Sequence, residues 1–334
     1  MARVAINGFG RIGRAVCRLA LAQANLDLVA INDLMPDDNL GYLFEYDTVY
    51  GRSEQAPTVS NGYLQVGDAR CRLLHERDPV DLPWKELDVD LVFECTGVFD
   101  APSELQKHRT AGARFVLLSA PSKSPDIPMV VHGVNQAGDV RNGLLSCASC
   151  TTNAVAPICE VLSRRIGVRK AIMTTVHAYT ASQGLVDAPS DKWRRGRAAA
   201  ANIIPTTTGA ARATADVLPA YLDKFDGVAL RVPVAAGSLA DLVCVMERQV
   251  TAEEINRCLS EESRSLRYHG ILRVTTAPIV SADILQDPHA AIVDAGMTQV
   301  VDGDLVKVVA WYDNEWGYAN QVVREALRLV DAHA

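Results

Sequence analysis

The sequence predicts an α/β protein whose N-terminal half forms a doubly wound parallel sheet. Short apolar, β-branched runs alternate there with polar or helical stretches, a pattern that is typical of parallel sheets. The runs are RVAIN (3–7), LDLVAIN (26–32), LVFEC (91–95) and FVLLS (115–119). A length of 334 residues exceeds most single cores, so we expect a second domain after this sheet.

Composition and charge narrow the class of protein. Apolar residues make up 49% of the chain and charged residues 22%, which excludes a disordered or fibrous class. A net charge of −7 argues against a general nucleic-acid surface, because phosphate backbones bind basic faces. No apolar run has the length of a membrane span, and MARVAING (1–8) enters a strand without the pattern of a signal peptide. We therefore expect a cytoplasmic protein.

The first strand is followed by the glycine-rich turn GFGRIG (8–13) and then by an amphipathic helix. Gly8 permits the tight turn, Gly10 lets backbone amides approach a pyrophosphate, and Gly13 lets helix and strand pack closely. The helix N-terminus favours the negative charge of the phosphates. This context predicts a Rossmann-type dinucleotide site, and the alternative is an ordinary βαβ unit without a ligand.

The second strand ends at Asp33, twenty residues after Gly13. A carboxylate there accepts a hydrogen bond from a ribose 2′-hydroxyl and repels a 2′-phosphate. Leu34 and Met35 offer no cation for such a phosphate. The sequence therefore predicts NAD rather than NADP.

Two cysteines lie three residues apart, where a predicted strand gives way to a predicted helix. Cys147 ends the strand LLSC (144–147), and Cys150 directly precedes the helix TTNAVAPICEVLSRRIG (151–167). Cys150 precedes the helix N-terminus, where unpaired N–H groups lower a thiol pKa and create a nucleophile. Because Cys147 lies close by in sequence, the two cysteines could instead form a redox pair or provide two metal ligands. The other six cysteines are scattered through apolar segments, so no zinc site and no metal is expected.

His177 is a candidate base for this thiol. It lies in KAIMTTVHAYT (170–180), a predicted strand, and a nucleophilic cysteine usually needs an imidazole beside it. A histidine on an alternating strand is otherwise a structural residue. The sequence pattern alone leaves both interpretations open.

Two later stretches predict anion binding. WRRGR (193–197) contains three arginines, and PTTTG (205–209) precedes a helical stretch. Hydroxyls at a helix N-terminus together with arginines form charge-assisted sites for phosphate. The alternatives for the arginines are a solvated face, a subunit contact or an RNA contact.

A series of motifs runs in fixed order along the chain. They are INGFGRIGR (6–14), ERDP (76–79), SCTTN (149–153), HAYT (177–180), NIIPTTTGAA (202–211), LRVP (230–233) and WYDNEWGYANQ (311–321). With them the chain resembles the phosphorylating glyceraldehyde-3-phosphate dehydrogenase family over roughly residues 2 to 330.

The resemblance implies an NAD-dependent oxidation of glyceraldehyde 3-phosphate to 1,3-bisphosphoglycerate, a reaction of glycolysis and gluconeogenesis. Cys150 would attack the aldehyde to form a hemithioacetal, and His177 would activate the thiol and act as general base. Loss of hydride would leave a thioester, which inorganic phosphate would attack. Cys147 would then be a neighbour of the nucleophile. Apart from the resemblance, we hypothesise that Cys147 traps an oxidised Cys150 after local rearrangement.

The resemblance also assigns binding residues. Those expected to hold NAD, besides the three glycines, are Arg11, Ile12, Asp33, Arg77, Ser119 and Asn314. Those expected to hold the substrate phosphate are Thr180, Arg195 and Arg231, and those for the attacking phosphate are Ser149, Thr151, Thr208 and Gly209.

The family's architecture implies two domains and a homotetramer. Residues 1–148 and 315–334 would form the NAD-binding domain, and 149–314 an α+β catalytic domain with a mixed sheet. The segment around 180–203 would lie near a subunit interface, and a final helix would cover roughly 317–331.

The chain departs from the family pattern at a few positions near the inferred phosphate sites. Ser182 stands where aspartate is common, Asp216 where lysine is usual, and VAAGS (234–238) replaces a TPNVS-like run. These differences leave the aldehyde open, and an erythrose-4-phosphate dehydrogenase is the nearest alternative. A non-enzymatic NAD-binding redox sensor that uses Cys147 and Cys150 is a more distant one.

Overall fold

A computed structural model describes residues 1–137, 140 and 142–332. The chain divides into two compact units. The first comprises Met1–His132, Gln136–Ala148 and Ala319–Ala334, and the second comprises Gly133–Asn135 and Ser149–Tyr318. The prediction that residues 1–148 and 315–334 bind NAD and that residues 149–314 carry out catalysis stays a prediction.

The first unit contains the predicted parallel sheet. The strands of this unit are β1 (Ala2–Asn7), β2 (Leu26–Asn32), β3 (Tyr46–Asp47), β4 (Gly51–Arg52), β5 (Thr58–Ser60), β6 (Tyr63–Val66), β7 (Ala69–Leu74), β8 (Leu91–Glu94), β9 (Phe115–Leu118) and β10 (Leu144–Ser146). Strands β3 and β4 pair with each other in a separate two-stranded sheet. The helices of this unit are α1 (Arg11–Leu21), α2 (Asp37–Glu45) and α3 (Pro102–Thr110).

The order of the strands explains where a ligand can bind in this unit. The sheet runs β10-β9-β8-β1-β2-β7-β6-β5, and the six strands from β10 to β7 are parallel. From β1 the chain adds β2 and β7 toward one edge of the sheet, and from β8 it adds β9 and β10 toward the other edge. Right-handed crossovers therefore place α1 and α3 on opposite faces of the sheet. This is the Rossmann order, with its switch point between β1 and β8. The prediction of a doubly wound sheet is confirmed.

The second unit contains the mixed sheet. Its strands are β11 (Val168–Ala178), β12 (Ile204–Thr207), β13 (Phe225–Val232), β14 (Ser238–Met246), β15 (Leu272–Thr275), β16 (Ala291–Asp294), β17 (Gln299–Val301) and β18 (Leu305–Tyr312). Its helices are α4 (Cys150–Arg165), α5 (Ala210–Val217) and α6 (Ala252–Ser263), and α7 (Trp316–Asp331) begins here and continues into the first unit.

One face of the mixed sheet is covered by helices. The order is β12-β13-β11-β14-β18-β16-β15, with β17 paired to β18, and both parallel and antiparallel pairs occur. Along β14 every second residue is buried, which is the alternation of a sheet with one covered face. Helix α4 packs against β18, β16, β14 and β11. The predicted α+β unit with a mixed sheet is therefore confirmed.

The element boundaries differ from the sequence prediction by one or two residues. Helix α4 begins at Cys150 rather than at residue 151, because Ser149 already caps it. It ends at Arg165, and Gly167 follows with φ +96°, a conformation that glycine adopts without steric cost. Of the helices in the described part of the chain, none combines the length and the apolar character that a membrane crossing requires.

Candidate active site

The turn between β1 and α1 leaves room for a ligand at one glycine and no room at two others. Gly8 has φ +92°, and a Cβ there would collide with the backbone of Thr96 beyond β8. A Cβ on Gly13 would collide with the carbonyl of Gly8. Gly10 has an ordinary φ of −70°, and nothing lies within 4 Å of the position that its Cβ would take. Open space therefore lies at Gly10, where a pyrophosphate needs it.

The N-terminus of α1 points its backbone N–H groups toward the space at Gly10. Gly10 is the N-cap residue, and it makes no side-chain cap hydrogen bond, so no capping side chain occupies this end of the helix. The guanidinium of Arg11 pairs with Asp47 and lies 5.3 Å from the centre of the Tyr50 ring. Arg11 and Ile12 can therefore contact a phosphate through their N–H groups, whereas the Arg11 side chain binds within the protein.

Asp33 lies at the carboxyl end of β2. Its Oδ2 accepts from the N–H of Phe9 at 2.6 Å, and its Oδ1 accepts from the N–H of Met35 at 3.0 Å. These two bonds fix the carboxylate, and each oxygen keeps a lone pair for a ribose hydroxyl. Of the other predicted cofactor residues, Arg77 is exposed, and Ser119 donates its hydroxyl to the Glu94 carbonyl at 2.9 Å.

Cys150 is the first residue of α4 and is partly buried. The Ser149 hydroxyl accepts from the Thr152 N–H at 3.1 Å, and this N-cap fixes the start of the helix. Ala148 precedes the cap with φ +55°, in the left-handed region that few residues other than glycine adopt. Such local strain is common at functional sites.

His177 faces the thiol from β11. Its Nδ1 lies 2.7 Å from the carbonyl oxygen of Ala178, which can only accept, so Nδ1 carries the proton. Its Nε2 lies 3.4 Å from Cys150 Sγ. In the neutral ring Nε2 is then an acceptor, so the thiol donates to it. The second unit thus brings together the predicted nucleophile and the predicted base.

The protonation state of this pair differs from the sequence-based expectation. Burial raises the pKa of the Cys150 thiol, and the opposing effects of the Arg231 guanidinium and of hydrogen bonding at Thr151 only reduce that rise. Burial and then the Arg231 charge lower the pKa of His177 to about 4. The expectation that the helix N-terminus lowers the Cys150 pKa below its ordinary value is therefore wrong, because desolvation is the larger effect. The pair rests as neutral thiol and neutral imidazole.

Two arginines supply positive charge to the site. Arg231 Nη1 donates to the Ala178 carbonyl at 2.9 Å, and its buried Nε has no hydrogen-bond partner among the described residues. Arg195 donates through Nε to Thr206 Oγ1 at 2.8 Å. Both charges act to lower the pKa of His177. A buried guanidinium N–H without a partner is suited to an anionic ligand.

The hydroxyls of the predicted phosphate sites have different surroundings. Thr180 and Ser182 hydroxyls lie 2.9 Å apart beyond the end of β11. Thr208 Oγ1 accepts from the Ala210 N–H at 3.2 Å at the start of α5. Gly209 is the N-cap of that helix, and a Cβ on it would meet nothing within 4 Å.

Thr151 belongs to a buried hydrogen-bond chain. Thr175 donates to the Leu239 carbonyl at 3.3 Å, so it accepts from Tyr312 at 2.7 Å, and Tyr312 accepts from Thr151 at 3.0 Å. Thr151 therefore meets both this chain and Cys150, and its hydrogen bonding to the sulfur acts to lower the pKa of that thiol.

Sequence reasoning missed Tyr312 and Ser238. The Ser238 hydroxyl accepts from the Ala178 N–H at 3.1 Å and donates to Asn314 Oδ1 at 2.9 Å, which leaves the Asn314 amide N–H₂ free of this bond. Ser238 and Tyr312 are partners in the register of β14 and β18. The signal was a hydroxyl residue at a buried position of each strand, but the sequence does not reveal which strands pair.

Comparison with known proteins decides the family. Residues 2–102 match the model described as "Glyceraldehyde 3-phosphate dehydrogenase, NAD binding domain", and residues 149–314 match "Glyceraldehyde 3-phosphate dehydrogenase, C-terminal domain". The chain belongs to the glyceraldehyde-3-phosphate dehydrogenase family. It is accordingly an NAD-dependent oxidoreductase.

Full-length relatives agree with this assignment. The chain is 47% identical over 324 residues to a glyceraldehyde-3-phosphate dehydrogenase of Streptomyces coelicolor, with 96% of each chain covered. It is 46% identical over 324 residues to glyceraldehyde-3-phosphate dehydrogenase 2 of Streptomyces avermitilis, again with 96% of each covered. For glyceraldehyde-3-phosphate dehydrogenase 2 of Staphylococcus aureus the identity is 47% over 323 residues, with 96% of this chain and 93% of the relative covered.

Proposed function

We propose that the chain catalyses the NAD-dependent, phosphorylating oxidation of glyceraldehyde 3-phosphate to 1,3-bisphosphoglycerate. The observation that carries this proposal is the 3.4 Å approach of Cys150 Sγ to an unprotonated Nε2 of His177, whose tautomer is fixed by the Ala178 carbonyl. A thiol that donates to a correctly oriented base is the arrangement of covalent catalysis. The names of the relatives support the aldehyde.

The first step forms a bond between sulfur and the aldehyde carbon. His177 Nε2 takes the Cys150 thiol proton as the sulfur attacks, and the carbonyl electron pair moves to the oxygen. The imidazolium then returns the proton to this oxygen, which gives a hemithioacetal. Because His177 is neutral above about pH 4, the base is ready at physiological pH.

The second step oxidises the carbon that is bound to sulfur. His177 removes the hydroxyl proton of the hemithioacetal and so favours departure of hydride. When bound, NAD accepts that hydride. A thioester remains on Cys150, and a thioester is far more electrophilic than a carboxylate, so a later nucleophile can attack it.

Inorganic phosphate then takes the acyl group. A phosphate oxygen attacks the thioester carbon, the C–S bond breaks, and Cys150 sulfur leaves with the electron pair. We assign the substrate's own phosphate to Thr180, Arg195 and Arg231, which supply two charges and a hydroxyl. We assign the attacking phosphate to Ser149, Thr151, Thr208 and Gly209, near the starts of α4 and α5.

We assign the cofactor to residues 1–148 and 315–334, and catalysis to residues 149–314. The open space at Gly10 supports this assignment, because a pyrophosphate fits where a side chain is absent and a helix N-terminus carries no capping side chain. Asp33 would accept the ribose hydroxyls. The remaining contacts are those at Gly8, Arg11, Ile12, Gly13, Arg77, Ser119 and Asn314.

We further propose a cytoplasmic homotetramer. Large apolar side chains in the segment 185–203 are exposed in the single chain, and exposed apolar surface of this kind is what an interface between subunits covers. They are Leu185, Val186, Trp193 and Ile203, and Trp193 is 88% exposed. Burial against other subunits would remove this surface from water.

Steady-state rates of NADH formation test the function. With NAD and phosphate, glyceraldehyde 3-phosphate should give a higher kcat/KM than erythrose 4-phosphate. Cys150→Ser should lower kcat by about 10³-fold or more, and His177→Asn by about 10² to 10⁴-fold. A higher kcat/KM for erythrose 4-phosphate would identify the chain as an erythrose-4-phosphate dehydrogenase instead. No NADH from either aldehyde would favour a non-enzymatic NAD-binding protein.

A further inference from the structure

A fully buried carboxylate lies at the carboxyl end of β8. Glu94 has no exposed surface, and its two oxygens accept four hydrogen bonds. Oε2 accepts from Asn7 Nδ2 at 2.6 Å and from His108 Nε2 at 3.1 Å. Oε1 accepts from the Thr96 N–H at 2.8 Å and from the Thr96 hydroxyl. All four partners donate, so they select a carboxylate that only accepts.

The charge of Glu94 is not neutralised by a cation. Trp84 Nε1 donates to His108 Nδ1 at 2.9 Å, so Nδ1 holds no proton and the ring is neutral. No arginine or lysine in the described part of the chain bonds to Glu94. An unpaired buried charge is costly and is held here only by oriented dipoles. Stability alone gives no reason for a carboxylate at this position.

The hydrogen bonds continue from Glu94 toward the second strand. Asn7 Oδ1 accepts from Asn32 Nδ2 at 2.7 Å. Asn32 Nδ2 also donates to the Glu76 carbonyl at 2.9 Å, and Asn32 Oδ1 accepts from the Glu76 N–H at 2.8 Å. Both asparagines are buried. The network therefore ties the ends of β1 and β2 to the segment at residue 76.

Three residues of this network each lie next to a residue assigned to the cofactor. Asn7 precedes Gly8, Asn32 precedes Asp33, and Glu76 precedes Arg77. The backbone carbonyl of Glu94 itself accepts from the N–H of Ser119 at 3.0 Å and from its hydroxyl at 2.9 Å. One carboxylate residue thus links the loops after β1, β2, β7, β8 and β9.

We propose that Glu94 is a positioning residue for NAD, which holds these loops in the arrangement that the cofactor needs. The proposal rests on the proposed NAD function of the first unit. Glutamine has the same shape but carries an NH₂ group, which would face either the Thr96 donors or the donors of Asn7 and His108. Glu94→Gln therefore breaks one side of the network while the cavity stays filled.

The matched control is Glu160→Gln in the second unit. Glu160 is also largely buried and accepts from Arg164, Arg267 and Tyr268, but no cofactor residue adjoins it. Dissociation constants for NAD and for ADP-ribose are measured by calorimetry on the parent and both variants at 25 °C. Urea unfolding gives the free energies of unfolding of the three proteins. The alkylation rate of Cys150 without cofactor shows whether the second unit keeps its native structure around the thiol.

Glu94→Gln should weaken NAD binding by about ten- to hundredfold, because one or two bonds to a charged group are lost. Its Cys150 alkylation rate should stay within about twofold of the parent. Glu160→Gln should lower stability and keep the NAD dissociation constant within about twofold. If Glu94→Gln does not fold, Thr96→Val, which removes one donor at a partly exposed site, should weaken NAD by about three- to tenfold.

Two results would overturn the proposal. One is an unchanged NAD dissociation constant in Glu94→Gln or, where that variant does not fold, in Thr96→Val. The other is an equal loss of NAD affinity in Glu160→Gln at equal stability. If the parent itself binds no NAD, the proposed function fails. If the parent binds NAD and Glu94→Gln binds it equally well, only the positioning role of Glu94 fails.

Discussion

Cys150 and His177 show how burial and charge determine the chemistry of single residues. The start of a helix and the Arg231 guanidinium both favour the thiolate, yet burial raises the thiol pKa by more than they lower it. The sequence could indicate the helix N-terminus beside Cys150, but not the degree of desolvation, which depends on how the unit packs. We therefore propose that His177, neutral and oriented by the Ala178 carbonyl, performs the deprotonation when substrate binds.

The low pKa of His177 makes stability depend on pH in a defined window. The folded protein holds the ring neutral down to about pH 4, whereas an unfolded chain protonates it near 6.5. The stability from the neutral ring is therefore fully present above pH 6.5 and is lost as the pH falls toward 4. Between pH 7 and 4.5 the loss should be about 2 to 3 kcal/mol.

Urea unfolding of the parent and of His177→Asn at these two pH values measures this effect. The parent should lose about 2 to 3 kcal/mol more than the variant over the interval. His269→Asn is the control, because His269 is exposed and should behave as the parent. Equal losses in parent and His177→Asn would show that His177 has an ordinary pKa.

At the scale of elements, the β1–α1 turn was predictable because its glycines and flanking periodicity are local features. The structure adds that Gly8 and Gly13 are required by packing, whereas Gly10 faces open space. The Glu94 network and the chain from Thr151 to Tyr312 were not predictable. They join residues far apart in sequence, and each depends on a strand register that hydrophobic patterning does not specify.

Two alanine substitutions separate the packing role from the binding role of this turn. Gly10→Ala has an allowed φ and no neighbour to displace, so unfolding free energy should change by less than about 1 kcal/mol, while NAD affinity should fall by about 100-fold or more. Gly13→Ala must push α1 away from the Gly8 carbonyl and should cost about 2 kcal/mol or more. Urea unfolding and NAD titration measure both. A Gly10→Ala variant that binds NAD normally would place the pyrophosphate elsewhere.

At the scale of the whole molecule, alternation predicted the parallel sheet and length predicted a second domain, whereas the mixed sheet was predicted only through the motifs that indicated the family. The exposed apolar residues around Trp193 were not recognised from composition, because an apolar residue in a polar stretch becomes informative only when its exposure is known. An open depression of about 620 Å³ beside Trp193 is lined by Pro205 and Val228 among others. This surface is the one that we expect other subunits to cover.

Substitution of the exposed Trp193 tests the assembly. Trp193→Glu places a charge in the expected interface, where burial of an unpaired charge costs several kcal/mol, so the tetramer should dissociate into smaller species. Leu266→Glu is the control, because Leu266 is fully exposed and lies outside the segment 185–203. Light scattering after size-exclusion chromatography gives the masses. A parent that is monomeric, or a Trp193→Glu variant that stays tetrameric, would contradict the assignment.

The release of NADH in the absence of phosphate tests the proposed chemistry most directly. Mixing the parent with NAD and glyceraldehyde 3-phosphate should give a burst of one NADH per active subunit, because the thioester on Cys150 waits for a nucleophile. Added phosphate should convert the burst into steady turnover, and Cys150→Ser should show neither phase. Continuous turnover without phosphate at the same rate, or an undiminished burst in Cys150→Ser, would contradict the thioester mechanism.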